Sequence, residues 1–154
     1  MIIKAKKSLG QNFLKDKNIL KKIADISLLD KSAELIEIGS GTGNLTDYLI
    51  KKNPKKIFLI EKDEKLSKYL KNKFFDNIKV INKDILKFFD YEIFNKDTIV
   101  IGNLPYNISS QILVKFILDS NFKYKALIFM FQKEMADRIL AKVNSKNYGR
   151  LSVL

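Results

Sequence analysis

The chain contains no cysteine and no histidine. The first absence excludes disulfides and thiolate metal sites. The second removes imidazole-based zinc centres, Ser-His-Asp triads and histidine acid–base chemistry together, so no metal is expected. Arginine is nearly missing too, with Arg138 and Arg150 the only two among 29 basic residues. No apolar run approaches the roughly 20 residues that a membrane-spanning helix needs. Met1-Ile2-Ile3-Lys4 lacks the long apolar stretch and small-residue cleavage site of a signal peptide. These absences predict a cytoplasmic protein with no membrane association. Any catalysis must rest on carboxylates, amides, lysine, tyrosine or a bound cofactor.

What is present is a globular composition, 46% apolar and 30% charged over 154 residues. That length suits one domain with a real core and is too short for two. The net charge of +12 points to a polyanionic partner, because Lys and Arg that neutralise phosphates supply most non-specific nucleic-acid affinity. A genome rich in A and T would explain the choice of Lys over Arg. It would not explain why Asp and Glu fail to keep pace.

The pattern along the chain alternates between helix and strand. Asp16 caps a helix with Ile19, Leu20, Ile23 and Ala24 on one face, and Asp30-Lys31-Ser32 is a loop. Strands are predicted at 34–38, 56–61, 78–82, 98–101 and 126–131, each a continuous apolar run. Between them, Leu45, Tyr48 and Leu49 mark one helix, ended by Asn53-Pro54. Leu66, Tyr69, Leu70 and Phe74 mark the next. A third is capped by Ser109 or Ser110 with Ile112, Leu113, Phe116 and Ile117 inward, and a last helix covers Gln132 to Lys142. Residues 85–96 are irregular. Unbroken apolar strands alternating with helices predict an α/β fold, a mostly parallel doubly wound sheet covered on both faces, with ligands at the carboxyl ends of its strands.

Two stretches carry chemistry. Glu37-Ile38-Gly39-Ser40-Gly41-Thr42-Gly43 sets three glycines between the first strand and its helix, where bare backbone can turn tightly and lie against a ligand. A dinucleotide-binding fingerprint needs glycine where this chain has Asn44, so the pyrophosphate pattern fails. Glu61 ends the second strand roughly 20 residues on, the place of an acid that grips ribose hydroxyls. Asp84 follows the third strand, placed to accept from an adenine amine. Carboxylates in that arrangement suit a ligand with positive charge, such as the sulfonium of S-adenosylmethionine.

The second stretch is Asn103-Leu104-Pro105-Tyr106, after the fourth strand. Pro105 fixes its own φ and pushes Leu104 away from helical geometry, making a rigid corner. A carboxamide, main-chain carbonyls and an aromatic ring there can hold a flat, amine-bearing heterocycle. Asn and Pro are also ordinary turn residues.

Taken together these pieces closely resemble the ribosomal small-subunit RNA adenine dimethyltransferases, within the Rossmann-like class I S-adenosylmethionine methyltransferases. The matching runs are Lys7 to Leu14, Glu37 to Thr46, Ile60 to Asp63, Asn82 to Leu86, Gly102 to Ser109, Phe131 to Glu134 and Tyr148 to Leu154. The resemblance implies that Gln11, Asn12 and Leu14 hold the methionine end of the cofactor, beside Glu37, Gly39, Gly41 and Asn103. Glu61 would take the ribose and Asp84 with the Ile85 backbone the adenine, with Lys62 a further cofactor-binding residue. Asn103, Leu104, Pro105 and Tyr106 match the motif that holds a target adenine for N6 methylation. S-adenosylhomocysteine would be the product, small-subunit ribosomal RNA in an immature subunit the partner, and a monomer the working unit.

The chain departs from the family in carrying Ser40 and Thr42 where many members have Pro and Leu, contacts made through backbone. The family also continues past Leu154 with further strands and a small helical domain. Residues 1–154 are therefore expected to be a C-terminally incomplete methyltransferase domain, able to bind cofactor, with RNA methylation weakened or lost. Rival readings are a large-subunit RNA adenine methyltransferase of the macrolide-resistance kind, a non-catalytic RNA-binding or ribosome-assembly factor, and a nucleotide-dependent oxidoreductase. Leu9-Gly10, Leu104, Gln132-Lys133-Glu134 and Tyr148-Gly149-Arg150-Leu151 favour the small-subunit group. Lys4, Lys6 and Lys7 are assigned to RNA phosphates.

Overall fold

The structure, a computed structural model, describes residues 11–27, 32–75 and 78–154. The phosphate assignment of Lys4, Lys6 and Lys7 and most of the Asp30-Lys31-Ser32 loop lie outside these residues.

Five strands, β1 (Glu34–Ile38), β2 (Lys56–Ile60), β3 (Ile78–Ile81), β4 (Thr98–Asn103) and β5 (Ala126–Met130), form one sheet in the order β3-β2-β1-β4-β5. Every neighbouring pair is parallel. Strand alternation divides the side chains between two cores. Leu35, Leu59, Ile99 and Ile101 pack under the helices α1 (Lys17–Ile26), α2 (Thr46–Ile50) and α3 (Glu64–Lys73). Ile36, Ile38, Phe58, Ile60 and Val100 pack on the other face against α4 (Ser109–Leu118) and the Ile85–Lys87 and Tyr91–Ile93 turns. Both faces of β1 are therefore buried, the physical reason its sequence is an unbroken apolar run.

Local chemistry sets the element boundaries. Asp16 accepts from the Asn18 and Ile19 amides to start α1, and Asp63 accepts from Lys65 and Leu66 to start α3. Asn53, at φ +54, follows α2 in the left-handed geometry that Asn tolerates. Three expectations shift. Ser109 is the first residue of α4 rather than its cap, and its hydroxyl donates to the Tyr106 carbonyl at 3.2 Å. Ile117 is exposed while Ile112 and Phe116 face the core, because a full turn of α4 has only that narrow stripe against the sheet. The last predicted helix is shorter, α5 (Lys133–Ile139), and a single turn, α6 (Arg150–Val153), packs beside it.

The chain runs outward from β1 to β2 and β3, then returns to place β4 on the other side of β1. The strand order reverses between β1 and β4, so a crevice opens above their carboxyl ends. Both chemistry-bearing stretches of the sequence emerge there.

Candidate active site

The crevice is a cleft of about 1080 Å3, open mouth included. Its walls contain Gln11, Asn12, Leu14, Glu37, Gly39, Gly41, Glu61, Lys62, Asp84, Ile85, Asn103, Leu104 and Pro105. Of the catalytic and cofactor-binding candidates read from sequence, Tyr106 is not part of that lining; it stands at the rim, 42% exposed.

Glycine makes the floor. Gly39, Gly41 and Gly43 have φ of +70, +58 and +74, a region that side-chain-bearing residues rarely adopt. A Cβ on Gly39 would lie 3.9 Å from both the Asn103 carbonyl and Pro105 Cδ, so the loop and the corner share a wall. Gly102 is needed for the same approach, since a Cβ there would meet the Ile38 carbonyl at 2.8 Å. From outside, Lys73 pins the loop: its ammonium donates to the Thr42 carbonyl at 3.1 Å and pairs with Asp47 at 2.7 Å.

The three acids differ in environment. Glu37 is fully buried, and Thr46 donates its hydroxyl to Oε2 at 2.6 Å. Burial without a paired cation pushes its carboxyl up to about 8, with the Thr46 bond opposing the shift. Glu61 is buried directly after β2, accepting from the Gly41 amide and the Asp63 amide, each at 2.9 Å. Burial raises its carboxyl as well, partly offset by those amides. Asp84 lies three residues past β3 and caps the Ile85–Lys87 turn. Burial raises it, but the Lys62 ammonium at 2.9 Å and the Leu86 amide outweigh that and hold it below the usual carboxylate range. Lys62 is thus placed as a partner of Asp84.

The 11–14 segment closes the cleft from above. Asn44 donates to the Leu14 carbonyl at 2.7 Å, and the Phe13 ring lies over Gly41, 3.1 Å from where a Cβ would stand. Asn103 donates its side-chain amide to the Asn12 carbonyl at 3.1 Å, which leaves its Oδ1 as an acceptor. Sequence reasoning missed Phe13, Asn44, Asn107 and Ile108 as lining residues. All four nonetheless fall within the runs shared with the family, and Asn44 also stood out as the residue that breaks the dinucleotide fingerprint. Among the described residues, no group of acids is placed to hold a metal ion, and no helix is long and apolar enough to cross a membrane.

A family model described as "Ribosomal RNA adenine dimethylase" matches residues 2–154. Ribosomal RNA small subunit methyltransferase A of Pelagibacter ubique is 54% identical, the match covering 100% of this chain and 59% of that protein. The protein of the same name from Wolbachia pipientis wMel is 44% identical, over 99% of this chain and 54% of its own. The chain spans about half the length of the curated relatives it matches. Among solved structures, a dimethyladenosine transferase from Plasmodium falciparum superposes with a TM-score of 0.79 at 35% identity, covering 92% of this chain and 51% of the other. The 23S rRNA methyltransferase ErmE superposes with a TM-score of 0.71 at 26% identity, over 90% of this chain and 53% of its own.

Proposed function

Because the chain belongs to the ribosomal RNA adenine dimethylase family, we propose that its cleft binds S-adenosylmethionine and that its rim presents the N6 amine of an adenosine in small-subunit ribosomal RNA for methylation. The observation that carries this reading is the shared wall: Gly39 of the glycine loop lies against Asn103 and Pro105 of the corner. A methyl donor on the loop and an amine held by the corner then meet across one strand end. The curated relatives with 54% and 44% identity are named for the small subunit, whereas the large-subunit enzyme stands at 26%.

The residues suit such a cofactor. Bare main chain at Gly39 and Gly41 admits close approach, the Glu61 carboxylate keeps lone pairs for ribose hydroxyls, and Asp84 with the buried Ile85 forms the adenine end. Gln11, Asn12, Leu14 and Glu37 would surround the methionine end. When bound, S-adenosylmethionine supplies a methyl on a sulfonium and leaves as S-adenosylhomocysteine.

The chain's own residues supply position. Asn103 Oδ1 and the Leu104 carbonyl accept the two N6 hydrogens, which favours a pyramidal nitrogen with its lone pair directed at the methyl. Pro105 holds that corner rigid, and Tyr106 stacks on the extruded base. As nitrogen becomes cationic its proton becomes acidic and passes to water, so no histidine base is needed. Holding the reactants in line can be worth roughly 7–11 kcal/mol of barrier. The second methylation uses the same corner, since the monomethylated amine still carries one hydrogen.

The partner is small-subunit ribosomal RNA in an immature subunit, in the cytoplasm where subunits are built. One copy is taken as the working unit. Residues 1–154 act as the methyltransferase domain. Calorimetry with S-adenosylmethionine and mass analysis of methylated RNA test the reading. Asn103→Ala should keep cofactor affinity within about threefold and lose transfer by about 100-fold or more. Loss of cofactor binding in that variant would move Asn103 out of the target-base role.

A further inference from the structure

Asn12 touches both ends of the target-base corner at once. Its main-chain carbonyl accepts from Asn103 Nδ2 at 3.1 Å, and its own Nδ2 donates to the Tyr106 hydroxyl at 3.0 Å. These contacts bridge 91 and 94 residues of sequence. The segment that carries Asn12 is in turn seated on the glycine loop, through Asn44 to the Leu14 carbonyl and through Phe13 against Gly41.

Each contact has a chemical consequence. A carboxamide has one accepting and one donating end, and nothing in its shape chooses which faces a substrate amine. Donation to a carbonyl makes the choice for Asn103 and turns Oδ1 to the open side. A phenol ring free at a rim samples several rotamers, whereas one tied through its hydroxyl keeps one plane for a base to stack on.

On the functional reading above, we propose that Asn12 is a positioning residue for methyl transfer: it sets the amide orientation of Asn103 and the ring plane of Tyr106, and links both to the cofactor loop through the 11–14 segment. The target-base corner is then fully assembled only when that segment is seated, which ties readiness for the base to the wall of the cofactor cleft. This role differs from contact with the cofactor alone, because it acts through two residues that face the other substrate.

The test is a double-mutant cycle on single-turnover transfer to immature small subunits, with this chain in excess over RNA and saturated with S-adenosylmethionine. Asn12→Ala removes the bond to Tyr106 from one end, and Tyr106→Phe removes it from the other while keeping the stacking ring. At saturating S-adenosylmethionine each should slow transfer about tenfold, whatever Asn12→Ala costs in cofactor affinity, Tyr106→Phe should leave that affinity within about threefold, and the double variant should be no slower than either single. Slowing that multiplies in the double variant, or an Asn12→Ala loss of cofactor affinity that accounts for the whole rate loss, overturns the proposal. Side-chain amide NMR gives a readout independent of turnover. Tyr106→Phe should move the Asn12 Nδ2 proton resonance and leave that of Asn103 in place; an unmoved Asn12 resonance overturns the link. Failure of the unaltered, cofactor-loaded chain to transfer any methyl counts instead against the functional reading, and the amide spectra still decide the contact.

Discussion

Gly41 donates its main-chain N–H to the Glu61 carboxylate at 2.9 Å, across a gap of twenty residues. The acid at the end of β2 therefore holds the glycine loop at the end of β1 as well as facing the cleft. Its other oxygen accepts from the Asp63 amide, so one buried side chain ties together loop, strand end and the start of α3. A carboxylate is suited to this place because it accepts at both oxygens and donates at neither.

Glu61→Gln tests that dependence. Glutamine can accept from one of the two amides but presents an NH2 group to the other, leaving a buried donor unsatisfied. The expected cost is about 1–3 kcal/mol of folding stability, with S-adenosylmethionine affinity reduced roughly tenfold or more. Urea unfolding and calorimetry on the same preparation read both. Unchanged midpoint and unchanged affinity together would show that neither bond constrains the loop.

Glu37 gives a pH signature. Burial raises its carboxyl from 4.5 to about 8, so the folded chain binds this proton more tightly than the unfolded chain does. The resulting stability is complete below the unfolded value and is lost as pH rises through the folded one. Glu61 is shifted the same way, so the comparison is wild type against Glu37→Gln, which stays neutral throughout. Wild-type melting temperature should fall relative to that variant between about pH 5 and about pH 9. Parallel pH profiles would mean that Glu37 is ionised in the fold across that range.

Much of this was legible in advance, for reasons that differ by element. Strand β1 reads correctly because both of its faces are buried, and its Glu37 stands out against that apolar run. The acids and the glycine loop are legible because strand ends and a reversal of strand order determine where ligands lie. Ser109 misled because a serine before an apolar stripe looks like a cap, whereas its hydroxyl turns back to the Tyr106 carbonyl and to Met135. The seat of residues 11–14 was legible only through the family resemblance, which set Gln11, Asn12 and Leu14 beside Gly39, Gly41 and Asn103. That segment has no hydrophobic period, and its place depends on hydrogen bonds to Asn44, Asn103 and Tyr106, far away in sequence.

Gly43 is the loop position least able to accept a side chain. Its φ is +74, and a Cβ would stand 2.6 Å from the Phe74 ring, itself buried in the core under α3. Gly43→Ala should cost about 2–4 kcal/mol, combining left-handed strain with overpacking. Gly149→Ala is the control, because nothing lies within 4 Å of its added Cβ and its backbone is extended. Equal thermal unfolding of the two variants would contradict this account of the loop.

Asn44 separates this cleft from a dinucleotide site for a reason the fingerprint does not contain. Glycine at that position would complete the pyrophosphate pattern, yet here the asparagine amide holds the Leu14 carbonyl at 2.7 Å and so anchors the segment above the cleft. Asn44→Gly should therefore behave as the loss of an anchor. Amide hydrogen exchange over residues 11–14 should accelerate, and S-adenosylmethionine affinity should fall by roughly threefold to tenfold, the loss of one hydrogen bond. NAD binding should not appear, because the residue at 44 supplies the hold on Leu14 here and not room for a phosphate. A variant that gains NAD affinity while its 11–14 amides stay protected would show that the fingerprint, and not the anchor, determines what this cleft accepts.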